Sequence, residues 1–348
     1  MRLGLTFNLK PELGPSPGEP IDRFEEFDSV ETVDAIDRAL RGLGHEVERL
    51  GWGEPLLAAL AEPGRRLDGV FNFAEGVGGR GRESQIPAVL EVLGIPNTGS
   101  GPFALALALD KGVAKIFAAA HGIRTAPFQI VGADETLGLV ELAYPLFVKP
   151  VAEGSSMGIR KNSVCHDEAA LRERVARLQR DYRQAVLIEE FLSGDEFTVG
   201  VVGNGAAAEV VGVMQVTPRV PDGQDFVYSL EVKRDYLNQV RYVMTDELLQ
   251  SGRLDEARLA AIRGLALDVH RVFGCRDLSR IDIRCDRRGD PNFIEVNPLP
   301  GLHPVSSDLV IIARGHGWSY EQLIGRIIGA ATQRWSGLDR LQSSPPEH

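Results

Sequence analysis

The chain has 348 residues, of which 43% are hydrophobic and 25% charged, and its formal net charge is −11. This length exceeds one ordinary core, so two or three domains are expected. The negative charge excludes an extended nucleic-acid surface, which requires clustered positive charge. Charged residues interrupt the most apolar stretch, around residues 103–120, so it cannot span a membrane. Three cysteines without disulfide or metal spacing, and a start without a signal peptide, predict a cytoplasmic protein.

The first part of the chain alternates strands and helices. The pattern predicts strands at residues 3–7, 46–49 and 69–73. It predicts helices at 30–43, 55–60, 84–93 and 102–120. Strands separated by helices in this way form a parallel sheet with helices on its faces. The sequence therefore predicts an α/β fold for the N-terminal part.

From Pro127 onward the pattern changes to closely spaced short strands. They are FQIVG, PLFVKP, AVLIEEF, EFTVGVVG and AEVVGVMQV, and helices are predicted at 167–182 and 255–273. A strand hairpin over 280–297 and a closing helix over 320–332 follow. Residues 336–348 are polar and aperiodic and predict a flexible tail. The second half of the chain is therefore predicted to be α+β.

The sequence GVGGRG at residues 76–81 matches the G-x-G-x-x-G fingerprint of dinucleotide-binding proteins. It follows the third predicted strand rather than the first, and no acidic residue ends a later strand at the required distance. In a chain with 38 glycines the match is weak. We therefore predict a mobile loop on the substrate side rather than a nicotinamide site.

A second glycine-rich stretch, VKPVAEGSSMGIRK at residues 148–161, is more informative. Lys149 ends a strand, and residues 154–158 then supply backbone N–H groups and two hydroxyls that can enclose a triphosphate. The lysine precedes the glycines, so the stretch is not a Walker A motif. Taken alone, it would more often be an ordinary Gly/Ser turn.

The hairpin RIDIRCDRRGDPNFIEVNPLPG at residues 280–301 carries polar side chains on one face. Side chains two apart on a strand share a face, so Arg280 lies beside Asp282, and Glu295 beside Asn297. The turn then brings the two strands together. Carboxylate and amide oxygens are the ligands that suit Mg²⁺. A solvated strand face is the alternative, but the apolar neighbours of Glu295 favour an ion or a partner.

Together these stretches resemble the ATP-grasp ligases and, within them, the D-alanine–D-alanine ligases. The resemblance is carried by VKP…EGSSMG, EEFLSGDEFTVG and RIDIR…FIEVNPLPGLHPVSS, preceded by NTGSGPFALALALDK, and it covers residues 68–332. It implies an N-terminal α/β domain (1–110), a central ATP-grasp domain (111–198) and a C-terminal ATP-grasp domain (199–335), the last two α+β. It also implies ATP, two Mg²⁺ ions (or Mn²⁺ instead), and ligation of two amino acids through an acyl phosphate, with release of ADP.

The resemblance also implies roles for individual residues. For ATP these are the phosphate lysines Lys111 and Lys149, the covering loop with Glu153 and Ser156, and the adenine and ribose contacts Glu189, Leu192 and Glu196. For the metal they are Asp282, Glu295 and Asn297. For catalysis they are Arg280 and the Gly301 N–H at the oxyanion, Ser155 facing the first substrate, and Lys233 of the mobile ω-loop. Ser306 is implied to bind the carboxylate of the second substrate.

Departures from the family pattern lie on the first-substrate side. The N-terminus is LTFNLKPELGPSPGEP where the family has G-G-x-S-x-E, and Glu31 is the candidate replacement for that glutamate. Glu75 stands where the family has a His, and Arg234 where its ω-loop has a Tyr. An ion pair between Glu75 and Arg234 across this pocket would be strong. These changes can accommodate a first amino acid other than D-alanine.

Three functional classes follow from these observations. The first is an amino-acid or dipeptide ligase, and the second is an ATP-grasp ligase of secondary metabolism with another acid or amine. The third is a non-catalytic nucleotide-binding protein, which the complete set of expected lysines and metal ligands disfavours. A homodimer acting on small amino-acid substrates is expected, and His303, close to Gly301, is a further candidate for substrate contact.

Overall fold

A computed structural model of the protein describes residues 1–16, 18–220 and 226–342, with side chains up to residue 335. The first 120 residues form a parallel sheet with helices. The elements are β1 (Arg2–Phe7), α1 (Val30–Gly42), β2 (Glu46–Gly51), α2 (Gly53–Leu60), β3 (Gly69–Phe73), α3 (Gln85–Val92), α4 (Pro102–Leu109) and α5 (Lys111–Ala120). The strand order is β2-β1-β3, and both pairings are parallel. The predicted parallel sheet is confirmed.

An antiparallel sheet of four strands follows. Its elements are β4 (Phe128–Val131), β5 (Leu146–Pro150), β6 (Val164–Cys165), α6 (Glu168–Tyr182) and β7 (Val186–Glu190). The strand order is β4-β7-β5-β6. Asp167 begins α6 because its side chain accepts the Ala170 N–H at 2.9 Å. The apolar face of α6 then packs on this sheet through Leu171, Val175 and Leu178.

The rest of the chain is built around an antiparallel sheet of five strands. The elements are β8 (Glu196–Val202), β9 (Glu209–Pro218), α7 (Leu230–Arg234), α8 (Tyr236–Gln239), β10 (Val240–Met244), α9 (Thr245–Gln250), α10 (Glu256–Val272), β11 (Leu278–Cys285), β12 (Pro291–Asn297), α11 (Asp308–Gly315) and α12 (Tyr320–Gln342). The strand order is β10-β9-β8-β11-β12. Helix α10 packs on one face through residues that include Leu259, Ile262 and Ala266.

The last helix completes the core of the first sheet. Leu3 and Leu5 of β1 share one buried cluster with Leu323, Ile327 and Trp335 of α12. Trp335 lies so close to β3 that a Cβ at residue 69 would collide with its ring, which explains a glycine there. The N-terminal sheet therefore depends on residues from the other end of the chain.

Several predicted boundaries were wrong. The helix predicted over 102–120 ends at Asp110, whose extended backbone and carboxylate begin α5, with the Val113 N–H donating to it at 3.0 Å. The predicted division after residue 198 falls inside β8, and the predicted start of the tail at 336 falls inside α12. Residues 343–348 of that tail lie outside the described residues. Strand β10 and helices α7, α8, α9 and α11 were not predicted.

Two further features bear on the predicted environment. In the portion of the chain covered by the structure, none of the helices is both long and apolar enough to cross a membrane. The three cysteines are all buried and free. Burial raises the pKa of each thiol, to about 11 for Cys165 and Cys285 and to about 12 for Cys275, so each is protonated at neutral pH.

A buried aspartate joins three distant parts of the chain. Asp277 has no exposed surface, and its carboxylate accepts from Arg334 Nη2 at 2.7 Å, the Gly99 N–H at 2.8 Å and Asn204 Nδ2 at 2.8 Å. Its φ of 65° lies in the left-handed region, which Asp and Asn tolerate better than most residues. This carboxylate therefore fixes α12 against the loop before α4.

We expect Asp277→Asn to lower the free energy of unfolding by about 2 kcal/mol, because the charge-assisted hydrogen bonds of a fully buried carboxylate would be lost. Asn is chosen because it keeps the left-handed backbone. The matched control is Asp268→Asn, since Asp268 forms an exposed ion pair with Arg271 at 2.9 Å, and such pairs contribute under about 1 kcal/mol. Urea unfolding of both variants is the measurement, and equal midpoints would contradict the assignment.

Candidate active site

The polar face of the β11–β12 hairpin is the centre of the candidate site. Along β11, Arg280 and Asp282 alternate with residues buried in the core. The strand register pairs Asp282 with Glu295 and Arg280 with Asn297. Asn297 Nδ2 also donates to Asp282 Oδ2 at 3.3 Å. The hairpin thus brings together the three oxygen-bearing side chains singled out in the sequence.

Two cations lie against these carboxylates. Arg280 donates to Asp282 from Nη2 at 2.9 Å, and its Nη1 lies 3.4 Å from Asp308 Oδ2. Lys111 Nζ lies 3.3 Å from Glu295 Oε2. Burial raises the pKa of Asp282 to about 6 despite the attraction of Arg280. Burial also opposes ionisation of Glu295, but Lys111 and other nearby cations hold its pKa well below the usual range.

This donor set fits a divalent cation. Asp282 and Glu295 are two carboxylates on one desolvated face, where their mutual repulsion disfavours joint ionisation unless positive charge lies close to both. Asn297 adds a neutral oxygen, and oxygen donors of both kinds suit Mg²⁺. Among the residues with described side chains, no group of three or more His, Cys, Asp or Glu is arranged to hold a metal ion. A metal here would therefore be held by two carboxylates and one amide.

A second buried charge cluster lies at the end of β5. Glu189 accepts from Lys149 Nζ at 2.7 Å and lies 2.7 Å from Lys115 Nζ, and all three side chains are almost completely buried. Burial opposes ionisation of Glu189, but Lys115 and Lys149 lower its pKa to about 2. Glu189 therefore keeps its charge and orients Lys149 towards the cleft. Lys115 was missed in the sequence because it lies in an apolar helical stretch.

A cleft between the four-stranded and five-stranded sheets contains most of the predicted ATP and metal residues. Its lining includes Lys149, Ser156, Glu189, Leu192, Glu196, Lys233, Asp282 and Glu295. Arg284, two residues beyond Asp282, also lines the cleft. It donates to Glu196 Oε2 at 2.9 Å, and its guanidinium lies 4.4 Å from the Phe191 ring centre. Alternation along β11 could have identified Arg284, because it shares the face of Arg280 and Asp282.

The predicted covering loop has an unusual backbone. Ser155 and Ser156 both have positive φ, at 45° and 58°, which costs on the order of 1–3 kcal/mol for each such residue. Ser156 Oγ donates to Tyr228 O at 3.2 Å, and Lys111 Nζ donates to Glu153 O. Ser155 is exposed. The loop therefore holds its shape through contacts with other parts of the chain.

The first-substrate side differs from the expectation. Arg234 forms its ion pair with Glu25, whose Oε1 lies 3.0 Å from Arg234 Nε, rather than with Glu75. Glu75 is instead buried, with 8% of its surface exposed. Burial raises its pKa well above the usual range, and the charges of Glu83, Glu26 and Asp28 add to that effect. The sequence could not predict the pairing, because the path of residues 8–28 has no periodic pattern.

The other predicted substrate residues surround His303. Glu31 lies at the start of α1, where it is largely exposed, and its Oε2 is 3.4 Å from His303 Nε2. Ser306 Oγ lies 3.0 Å from His303 Nδ1. Gly301 precedes these residues in the loop after β12, where a Cβ would come within 2.9 Å of Ser307 Oγ. His303 therefore links Glu31 to Ser306 rather than standing apart.

Comparison with known proteins identifies the relatives of this site. Residues 117–329 match the family model described as the D-ala D-ala ligase C-terminus. A D-alanine–D-alanine ligase of Cupriavidus necator is 34% identical, over 92% of this chain and 90% of its own.

The chain belongs to the D-alanine–D-alanine ligase family.

Other similar proteins agree with this assignment. The uncharacterized protein y4sG of Sinorhizobium fredii is 32% identical over 88% of both chains. The crystal structure of a D-alanine–D-alanine ligase from Bacillus anthracis in complex with ATP matches the fold, with a TM-score of 0.73 at 20% identity over 97% of this chain and 99% of that one. Membership of the family confirms the predicted resemblance to ATP-grasp ligases and the predicted class, an ATP-dependent, ADP-forming ligase.

We expect Glu295→Gln to lower turnover by at least about 100-fold, because it would remove one of the two carboxylate charges available to hold a divalent cation. The fold should be kept, since Gln has nearly the same shape. The measurement is ADP release across a range of Mg²⁺ concentrations. Asp290→Asn is the matched control, because Asp290 lies in the turn of the same hairpin and is partly exposed. Unchanged activity of Glu295→Gln at limiting Mg²⁺ would show that Glu295 does not bind the metal.

Proposed function

We propose that this protein joins two amino acids through an acyl phosphate, with ATP as the phosphate donor. The observation that carries this proposal is the meeting of Asp282, Glu295, Arg280 and Lys111 at one end of a cleft lined by Lys149. Such a cluster binds a chain of phosphates through a metal ion and stabilises charge in phosphoryl transfer.

The nucleotide and metal are assigned to separate groups of residues. Glu189, Leu192 and Glu196 bind the adenine and ribose, and Lys111 and Lys149 bind the phosphates. Asp282, Glu295 and Asn297 hold two Mg²⁺ ions, or Mn²⁺ in their place, which neutralise phosphate charge when bound. The pairing of both lysines with carboxylates supports this role, because it keeps their side chains aimed at the cleft.

The remaining residues act on the substrates. The covering loop with Glu153, Ser155 and Ser156 excludes water, which would otherwise hydrolyse the acyl phosphate. Lys233 acts from the ω-loop; its Nζ lies 4.9 Å from the Tyr228 ring centre at the same cleft. Arg280 and the Gly301 N–H stabilise the oxyanion formed when the amine attacks. Ser306 binds the carboxylate of the second amino acid.

We expect Arg280→Lys to lower kcat about tenfold or more while changing the KM for ATP much less, because Lys lacks the planar fork of donors. The steady-state rate of ADP release at varied ATP gives both quantities. Arg314→Lys serves as the control, since Arg314 is exposed on α11 and donates to Pro304 O. An effect confined to the KM for ATP would assign Arg280 to nucleotide binding instead.

A second candidate function is an ATP-grasp ligase with a first substrate other than D-alanine. The carboxylates of Glu83, Glu26 and Asp28 support it, because their charges add to the effect of burial on Glu75, which Arg82 opposes. Burial raises the pKa of Glu83 and of Asp28 to about 8. Such surroundings favour a first substrate with more positive charge than D-alanine carries. A role in secondary metabolism would be consistent with this change.

Pairs of amino acids matched in length distinguish the two candidates. We expect 2,4-diaminobutyrate to be used at least about tenfold better than 2-aminobutyrate, since one charge-assisted hydrogen bond is worth that much. ADP release for the D and L forms, with mass spectrometry of the product, is the measurement. A preference for D-alanine over both compounds would favour the first candidate. No ADP release with any amino acid would overturn both.

Three wider assignments belong to the same proposal. The chain divides into an N-terminal domain up to residue 110, a central domain and a C-terminal domain, with the second division moved to residues 191–195 between β7 and β8. We also propose a homodimer in the cytoplasm that acts on small-molecule substrates. The buried, unpaired and protonated thiols support a reducing compartment.

A further inference from the structure

The segment of residues 18–28 lies against the covering loop, where the family has a different N-terminal pattern. The segment begins after residue 17, which lies outside the described residues. It ends beside the residues that follow β1, because the Asp28 N–H donates to Asn8 O at 2.9 Å and the Lys10 N–H donates to Asp28 O at 2.9 Å. Residues 18–28 are therefore held in place at their C-terminal end by the chain that leaves the first sheet.

Asp22 is the most buried acidic residue of this segment, with 1% of its surface exposed. Its carboxylate accepts from the Gly158 N–H at 3.1 Å, Arg160 Nη2 at 2.7 Å and the Tyr182 hydroxyl at 2.8 Å. Gly158 and Arg160 form the C-terminal end of the covering loop, and Tyr182 ends α6. Burial opposes ionisation of Asp22, but its pKa is lowered by Arg160, the Gly158 N–H and Tyr182. One charged side chain thus ties the loop to the helix behind it.

Two acidic residues close to Asp22 in the sequence contact other parts of the site. Glu26 accepts from Arg82 Nε at 3.1 Å and lies so close to Gly154 that a Cβ there would collide with its Oε1. Glu25 pairs with Arg234 of α7. Acidic side chains of one short segment therefore contact the start of the covering loop, its end, and the helix that carries Lys233.

The covering loop needs such contacts, because Ser155 and Ser156 both have left-handed backbones. Arg160 adds a link to the other side, since its Nε lies 3.0 Å from Glu231 Oε1 on α7. Without Asp22, the Gly158 N–H and the Arg160 guanidinium would lose the acceptor that fixes this end of the loop.

We propose that Asp22 is a positioning residue for the ligase reaction, which holds the covering loop over the phosphate end of the cleft. This inference rests on the proposed function, because the loop matters only if phosphates bind beneath it. Asp22 touches neither the cleft lining nor the reacting atoms, so it acts through Gly158 and Arg160. The N-terminal segment is thereby part of the phosphate cover.

Asp22→Asn tests the proposal, since it removes the charge while keeping the shape of the side chain. We expect about tenfold faster trypsin cleavage after Lys161, because a charge-assisted hydrogen bond that holds the loop is lost. We also expect the KM for ATP to rise about tenfold, with a smaller change in kcat. More ADP should be released per dipeptide formed, because water would reach the acyl phosphate. Tyr182→Phe should show the same changes to a smaller extent.

Glu19→Gln is the matched control, because Glu19 lies in the same segment and pairs at the surface with Arg23. If Asp22→Asn is too unstable to fold, Arg160→Gln takes its place as the test variant. This change breaks the same ion pair from its more exposed side and leaves Lys161 as a cleavage site. Cleavage rates and a KM for ATP equal to those of the wild type and of Glu19→Gln would overturn the proposal.

The proteolysis measurement separates this inference from the proposed function. Trypsin cleavage is compared in the full chain with and without a non-hydrolysable ATP analogue and Mg²⁺, and it needs no amino-acid substrate. Protection by the analogue in the wild type but not in Asp22→Asn supports the positioning role even if no amino acid releases ADP. Equal protection in both would overturn the role of Asp22 while leaving the ligase assignment intact.

Discussion

The site depends on the mutual neutralisation of charges that have been removed from water. Burying a carboxylate or an ammonium group alone costs several kcal/mol, and the cost is offset only when opposite charges lie within contact distance. Here Glu189 lies between Lys115 and Lys149, and Arg280 lies beside Asp282. The two antiparallel sheets can therefore approach each other with charged side chains between them. ATP would enter a space in which several of the buried charges already have partners of opposite sign.

The regular geometry of single strands explains which parts of the site could be predicted from the sequence. The alternation along residues 280–285 specifies one face of a strand, so the meeting of Asp282 with Glu295 follows from strand geometry alone. Lys149 was found because it ends a strand next to a glycine-rich loop. Such local patterns hold in the folded protein, because the backbone of a strand fixes where neighbouring side chains point. The parallel first sheet was predictable for the same reason.

Interactions between distant residues could not be predicted in this way. Asp277 contacts Gly99, and Asp22 contacts Gly158, yet nothing near either aspartate in the sequence indicates its partner. The partner of Arg234 could not be predicted for the same reason, since Glu25 lies in a segment without periodicity. Lys115 was missed because one cation in an apolar helix is consistent with many environments. The break at Asp110 was missed because the apolar pattern continues across it.

The packing of α12 on the first sheet has a consequence for how the chain folds during synthesis. Strand β3 leaves the ribosome long before Trp335, and at roughly 5–20 residues per second the interval lasts on the order of 10–50 seconds. Throughout that time, the buried cluster that β1 and α1 begin lacks Leu323, Ile327 and Trp335, which complete it. We therefore expect the nascent N-terminal sheet to bind chaperones that recognise exposed apolar surface. The part of this ligase that is synthesised first is therefore completed last.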